Sequence, residues 1–207
     1  MNDRANALAV LALLGFGAVV VLRRSSRARG VVEDVADAAA AALGVEMVSA
    51  HFSLAELCTT SQRDSNDEDG DGNRTERKPN VPNAEELENL RYLCVAVLEP
   101  IRSVCGDRSI RVSSGFRSDS VNEGAGGSST SDHPKGLAAD IYVDGLTHEE
   151  VATILYEKGD GIPFDQIIVE RHTGHLHVGA GPKVRGQFLQ TSDGKTYSAW
   201  VPAAVNS

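Results

Sequence analysis

Two short stretches of the sequence place histidine and aspartate where they would bind a metal ion. In SDHPKGLAAD, His133 stands in a predicted loop and Asp140 stands on the predicted strand that follows. In HLHVG, His175 and His177 stand two residues apart on another predicted strand. Alternate residues of a strand point to the same side, so both imidazoles face one way. Protonating both would bring like charges together, and a bound metal would remove that cost.

The two stretches together offer one candidate ligand set. Strand alternation sends Ile141 to the core and Asp140 to the opposite, open side of the sheet. With His133 and His177, Asp140 makes a set of two histidines and one carboxylate, which is a ligand set of catalytic zinc and leaves a fourth position for water. The residues alone also allow a second interpretation, in which Asp140 is a surface charge and the histidines are ordinary surface residues.

A third stretch, VSSGFRS, ends a predicted strand with an arginine. The strand breaks at Gly115 and releases Arg117 from its end. A guanidinium at such a position suits a planar carboxylate or a developing oxyanion, because it offers several N–H donors in one plane. A turn with a solvated arginine fits this motif equally well.

Helical signals are strongest in the segment before these motifs. Asn83 and Glu86 form a capping box. Apolar residues then recur at steps of three and four, which predicts the core helix of the domain: Leu87, Leu90, Cys94, Val97, Ile101 and Val104. Pro100 should kink this helix or begin its last turn, and Gly106 should end it.

The second half of the chain consists mainly of predicted strands. The pattern predicts strands at 110–113, 138–143, 165–170 and 175–179, a Gly/Ser loop at 122–132, a helix from the Thr147 cap to about Lys158, and a hairpin at Asp193-Gly194 between Val184 and Trp200. Helices first and antiparallel strands later predict an α+β fold. We expect N-terminal helices packed on a small, mainly antiparallel sheet that carries the zinc site.

The N-terminal segment differs in kind from the rest. Residues 1–30 contain five arginines and one aspartate, a net charge of +4, and the stretch from Ala5 to Leu22 is apolar except at Asn6. These 18 residues would span roughly 27 Å as a helix, enough for a thin bilayer core, so we predict a single membrane helix. A cleaved signal peptide is the alternative, although no small-x-small cleavage site follows directly.

The remaining chain divides into a connector and one domain. We assign residues 31–50 to the connector and 51–205 to the domain, which a polar, acidic loop at 59–82 interrupts. The DxDxDG pattern at 67–72 resembles the start of a calcium loop, but Lys78 replaces the glutamate needed at the twelfth position. We therefore expect a solvated acidic loop without calcium.

Length and composition narrow the class of protein. A chain of 207 residues with 41% apolar content suits one ordinary domain with appendages. The net charge is -9 and no long basic stripe is present, so we expect no nucleic-acid partner. Three cysteines, Cys58, Cys94 and Cys105, fit neither a zinc knuckle nor a disulfide-dense scaffold, and we expect buried thiols or at most one disulfide.

Taken in chain order, the motifs resemble those of a known family. SSGFRS, Asn122, SxHPKGLAADI, DQIIVE and HxHVG are similar to the motifs of the M15 zinc peptidases, which include D-Ala-D-Ala carboxypeptidases and phage cell-wall endopeptidases. The resemblance extends from His51 to Arg185. It implies hydrolysis of amide bonds in peptidoglycan stem peptides, by a carboxypeptidase or an endopeptidase, in cell-wall lysis or remodelling.

The resemblance also implies a role for each motif residue. His133, Asp140 and His177 match the zinc ligands, with one zinc ion per chain. Arg117 matches the arginine that holds the substrate near the scissile bond. Ser131 matches the serine of the SxH motif and is expected next to the substrate or behind the metal ligands.

One position departs from the pattern of many family members. They carry an acidic general base three residues before the last zinc histidine, and this chain has Gly174 there. The HxH motif resembles instead a subset of the family, so that either His175 or Glu170, the nearest carboxylate, is the expected proton acceptor. The zinc domain of hedgehog signalling proteins is similar and is not known as a working peptidase. The alternative function is therefore a non-catalytic zinc module, such as a virion or membrane-tethered domain that recognises the cell wall.

Two opposed signals bear on localisation. The apolar N-terminal helix predicts single-pass association with a membrane. The arginines after Leu22 favour a cytoplasmic domain, whereas peptidoglycan lies outside the membrane. Delivery in a phage particle, later release from the membrane or failure of the charge rule would each reconcile the two, and the side of the membrane stays open.

Overall fold

A computed structural model describes residues 46–62 and 78–203, and the backbone pairing of two short segments near the N-terminus. These segments, β1 (Ala12–Leu13) and β2 (Ala18–Val19), pair as antiparallel strands. Four positions inside the predicted membrane helix are therefore extended and not helical. Gly15 and Gly17, which lower helix propensity, separate the two pairs in the sequence.

Several predictions for the first third of the chain stay untested. The rest of the predicted membrane helix, most of the connector and residues 63–77 of the acidic loop, with the pattern at 67–72, lie outside the described residues. Within the described part, no helix has the length and apolar character needed to cross a bilayer.

Two capped helices precede the main sheet. The first, α1 (Leu54–Leu57), is a single turn capped by Ser53. The second, α2 (Ala84–Tyr92), begins with the predicted capping box. Asn83 accepts hydrogen bonds from the backbone N–H of Glu86, and the Glu86 carboxylate accepts one from the Asn83 N–H. Local sequence signals therefore place the start of the core helix correctly.

The core helix changes pitch in its middle. After α2 the chain forms a π-helical stretch, Leu93–Leu98, and then resumes as α3 (Glu99–Val104). Pro100 accounts for the wider turn, because proline has no N–H and its ring collides with the carbonyl four residues earlier. The helix ends before Gly106, whose φ is +78°, as its sequence predicts.

Six strands form the main sheet. They are β3 (Ile110–Ser114), β4 (Ala138–Val143), β5 (Gln166–Glu170), β6 (Leu176–Gly179), β7 (Gln187–Thr191) and β8 (Ser198–Ala199). Their spatial order is β3-β4-β6-β5-β7-β8, and every neighbouring pair is antiparallel except β5 and β7, which are parallel. The α+β class, the mainly antiparallel sheet and the final hairpin are confirmed.

The connections add three helical segments. They are α4 (Asp119–Gly124), the short 3-10 helix His133–Lys135 and α5 (His148–Lys158). The predicted loop at 122–132 is wrong at its first three positions, because α4 continues to Gly124 and buries Val121 and Asn122. The predicted helix capped by Thr147 is confirmed, with its capping box.

The two faces of the sheet carry different kinds of residues. Apolar residues of one face join the buried residues of the core helix and α5 in a single core: Ala139, Ile141, Val143, Ile167, Val169, Leu176 and Val178. The opposite face carries Asp140 and His177. All three cysteines are free thiols, and Cys94 and Cys105 are buried. The core thus fixes the strands whose outer face carries the candidate ligands.

Gly136 ends the 3-10 helix that carries His133 and lets this turn pack closely on the core helix. Its φ is +69°, and a Cβ atom there would lie 2.4 Å from the Glu86 carbonyl oxygen. Gly106 also ends a helix with a left-handed φ, but a Cβ atom there would meet nothing within 4 Å.

We predict that Gly136→Ala lowers the free energy of unfolding well beyond Gly106→Ala. The backbone strain of about 1–2 kcal/mol is common to both variants, whereas the collision with Glu86 adds about 1–3 kcal/mol only at Gly136. Urea denaturation of both variants measures the difference. Equal losses would contradict the close packing of this turn on the core helix.

Candidate metal centre

Three elements bring the predicted ligands together. His133 lies on the 3-10 helix, Asp140 in the middle of β4 and His177 on β6. Asp140 and His177 stand directly opposite each other in the antiparallel β4–β6 ladder. All three residues are buried, and one ligand atom from each lies within 4.8 Å of the other two. The spacing in the sequence therefore predicted a true spatial cluster.

A backbone carbonyl orients the His133 ring. Nδ1 of His133 lies 2.6 Å from the Gly115 carbonyl oxygen, and a carbonyl only accepts, so Nδ1 carries the hydrogen. The lone pair of Nε2 consequently faces Oδ1 of Asp140 at 3.3 Å. Two electron-rich atoms face each other at this point, and a cation between them would remove the repulsion. Nδ1 of His177 lies 2.9 Å from the same oxygen.

This donor set fits zinc. Zinc–ligand distances of about 2.0–2.1 Å in a tetrahedron place neighbouring ligand atoms about 3.3 Å apart. Burial lowers the pKa of His133 in spite of the neighbouring Asp140 carboxylate, which keeps the imidazole neutral. Burial alone would raise the pKa of Asp140, but the neighbouring imidazoles of His133 and His177 outweigh it and hold the pKa well below the usual value. Neutral imidazole and ionised carboxylate are the forms that bind metal.

Asp140 is more enclosed than the sequence predicts. It faces the cavity on the predicted side of the sheet, but its exposed fraction is only 3%. Arg117 is the reason: its Nη2 donates to Oδ2 of Asp140 at 2.6 Å, and its Nε donates to Oγ of Ser114 at 2.6 Å. The interpretation of Arg117 as a solvated turn residue is therefore wrong. Its role towards a substrate stays a prediction.

His175 and Glu170 form a second pair beside the ligands. Nε2 of His175 lies 3.1 Å from Oε2 of Glu170 and 3.6 Å from Oδ1 of Asp140. Burial alone would lower the pKa of His175, but the Glu170 hydrogen bond and the two carboxylate charges raise it. Burial alone would raise the pKa of Glu170, but the hydrogen bond and charge of His175 lower it. The two side chains thus form a hydrogen-bonded pair next to the ligands.

The ligands and this pair line one cavity of about 520 Å³. Ser131 lies in its wall, and its Oγ accepts a hydrogen bond from the His133 N–H at 3.3 Å. The lining also includes three large side chains that the sequence analysis did not single out: Ile168, Leu189 and Tyr197. Alternation on the strand 165–170 would have placed Ile168 on the side of Glu170, whereas nothing local indicated Leu189 or Tyr197.

Comparison with protein families gives a match. A protein-family model described as Peptidase M15 matches residues 50–179, which is more than half of the chain. The matched residues include the three candidate ligands, Arg117 and the His175–Glu170 pair, and they stop before β7. No curated protein matches the chain.

We predict that the wild-type protein binds one zinc ion and that His177→Ala loses it. The loss follows because two ligands in place of three leave the ion weakly held. Equilibrium dialysis followed by metal analysis measures the stoichiometry.

His172→Ala is the matched control, since His172 lines the same cavity but lies outside the cluster of ligand atoms. It should retain full zinc binding. Equal zinc content in wild type and His177→Ala, or loss in His172→Ala alone, would contradict the assigned ligands.

Proposed function

Because the chain belongs to the M15 peptidase family, we propose that it is a zinc-dependent peptidase that hydrolyses amide bonds of peptidoglycan stem peptides. The observation that carries the proposal is one cavity that holds both the cluster of His133, Asp140 and His177 and the hydrogen-bonded pair of Glu170 and His175. Zinc bound by these three residues supplies Lewis acidity, which polarises a peptide carbonyl and makes water more acidic.

Glu170 and His175 are suited to move the proton. They lie beside the ligand carboxylate, and their 3.1 Å contact lets a proton taken from water by one be held by both. The same pair then returns the proton to the leaving amine when the amide bond breaks. Two groups that share a proton therefore cover both transfers that amide hydrolysis requires.

Arg117 is suited to hold the substrate and the ligand carboxylate at once. Nη2 and Nε are engaged by Asp140 and Ser114. Its guanidinium lines the cavity, and Nη1 donates to none of the described residues. We infer that this nitrogen binds a substrate carboxylate or the oxyanion that develops at the carbonyl.

The substrate class rests on the resemblance of the motifs together with the character of the cavity. Stem peptides carry D-residues and free carboxylates, which suit a cavity with one arginine and hydroxyl-bearing walls at Ser128, Thr130 and Ser131. The alternative is a zinc module without turnover, supported in the sequence by Gly174. Glu170 weakens that alternative, because it brings a carboxylate to the cavity where Gly174 brings none.

We predict that zinc-loaded wild-type protein releases new fragments from purified peptidoglycan and that His177→Ala releases none. Mass spectrometry of the soluble products measures this, and the fragment masses identify the bond. Zinc binding without any released fragment would favour the non-catalytic module.

We predict that Glu170→Gln retains zinc but loses about 100-fold or more in kcat, since general base catalysis contributes about that much. Because His175 is hydrogen-bonded to Glu170 and is not one of the three ligands, His175→Gln should also retain zinc. Its loss in kcat should be smaller than that of Glu170→Gln if Glu170 is the acceptor, and larger if His175 is. Turnover of the fragment-releasing reaction at matched zinc content ranks the two variants. Wild-type kcat in both variants would remove the pair from the mechanism.

A further inference from the structure

One row of residues crosses the main sheet and joins the ligands to an apolar surface. Residues paired directly across neighbouring strands share a face of the sheet. The pairings link six residues into one row: Ser114, Asp140, His177, Ile168, Leu189 and Ala199. Two of the candidate ligands stand in the first half of this row, and Ile168 and Leu189 stand in the second half.

The apolar half begins beside His177. Neighbouring strands are about 4.8 Å apart, so Ile168 lies about 5 Å and Leu189 about 10 Å from His177 along the row. Both residues line the cavity. A peptide advances about 3.5 Å per residue. A substrate that runs along this row from a scissile carbonyl at the ligands would place the side chain of a flanking residue over Ile168 and Leu189.

The β7–β8 hairpin adds Tyr197 as a third apolar surface. Tyr197 lines the cavity and is 49% exposed, so its ring is available for contact. Its hydroxyl donates to the Gly194 carbonyl at 3.1 Å, which ties the ring to the turn. A Cβ atom at Gly194 would lie 3.0 Å from Nε2 of His172, another residue of the cavity wall. The turn therefore packs against the wall of the cavity.

Charge in the cavity argues against an ionic side chain at this position. Among the described residues, three carboxylates line the cavity, and each has a cationic or histidine partner: Asp140 pairs with Arg117, Glu170 with His175 and Asp132 with Lys135. The same carboxylates disfavour an anion nearby. Apolar contact remains the interaction that Ile168, Leu189 and Tyr197 offer.

We propose that Ile168, Leu189 and Tyr197 form a specificity subsite for a small aliphatic side chain next to the scissile bond. The proposal rests on the peptidase function proposed above. Leu189 and Tyr197 lie beyond residues 50–179, so the family match assigns them no role. In a stem peptide the side chain bound here is the methyl group of an alanine.

The test compares stem pentapeptides with full-length, zinc-loaded protein. The parent peptide is L-Ala, γ-D-Glu, L-Lys, D-Ala, D-Ala, and each alanine is replaced in turn by glycine or by leucine of the same configuration. At one position, wild type should lose about fourfold to tenfold in kcat/KM on replacement by glycine, because the methyl contact is lost.

The variants locate that contact. Leu189→Ala and Tyr197→Ala should reduce the ratio of kcat/KM for the alanine peptide to kcat/KM for the glycine peptide towards one. Leu189→Ala should also raise kcat/KM for the leucine peptide relative to the alanine peptide. Tyr197→Phe keeps the ring and should keep the ratio. Tyr92→Ala, an exposed tyrosine on α2 outside the cavity lining, is the matched control and should behave as wild type. Leu189→Met is the conservative variant at this position. Its zinc content and Tm are measured, so that a misfolded protein is not mistaken for a lost contact.

Each outcome decides between the proposals. Normal cleavage with wild-type ratios in Leu189→Ala and Tyr197→Ala overturns the subsite alone. Equal loss of the ratio in Tyr197→Phe and Tyr197→Ala overturns the apolar contact in favour of a hydroxyl contact. A wild-type protein that neither cleaves nor binds the parent peptide, by calorimetry, overturns the peptidase function and with it the subsite.

Discussion

The burial of one carboxylate governs the arrangement of the whole site. A carboxylate that is 3% exposed is costly unless charges or donors surround it. Asp140 has Arg117 on one oxygen and His177 on the other, and the lone pair of His133 faces that second oxygen across the position for a cation. Each partner comes from a different element: the end of β3, the 3-10 helix and β6. The fold therefore has to hold these elements in register before any chemistry is available. The same negative charge is what makes the cluster a good cation site.

The strand register of the sheet fixes the geometry of the cavity. A shift of one residue in the β4–β6 pairing would turn either Asp140 or His177 into the core, so the apolar residues that alternate with them also enforce the geometry of the site. The core helix and α5 pack on the apolar face of the sheet, and this packing decides which residues of each strand point inwards. Because the row continues through Ile168 to Leu189, one register fixes both the ligands and the wall beside them.

Local signals explain which features were predictable from the sequence. The capping boxes at Asn83 and Thr147 involve residues three apart, and the alternation that exposes His177 to the site involves immediate neighbours. Features that depend on distant partners were not predictable in this way. The parallel β5–β7 pair brings Leu189 to the site, and the carbonyl of Gly115 orients His133 from 18 residues away. Arg117 shows both cases: its motif made it a candidate for the site, but its contact with Asp140 required the fold.

X-ray absorption at the zinc edge of the loaded wild-type protein identifies the atoms that bind the metal. We expect two imidazole nitrogens and one carboxylate oxygen per zinc ion, with a further light-atom ligand, because His133, Asp140 and His177 bind while His175 pairs with Glu170. A shell with three imidazoles would place His175 on the metal and remove it from proton transfer. A shell without imidazole would contradict the site altogether.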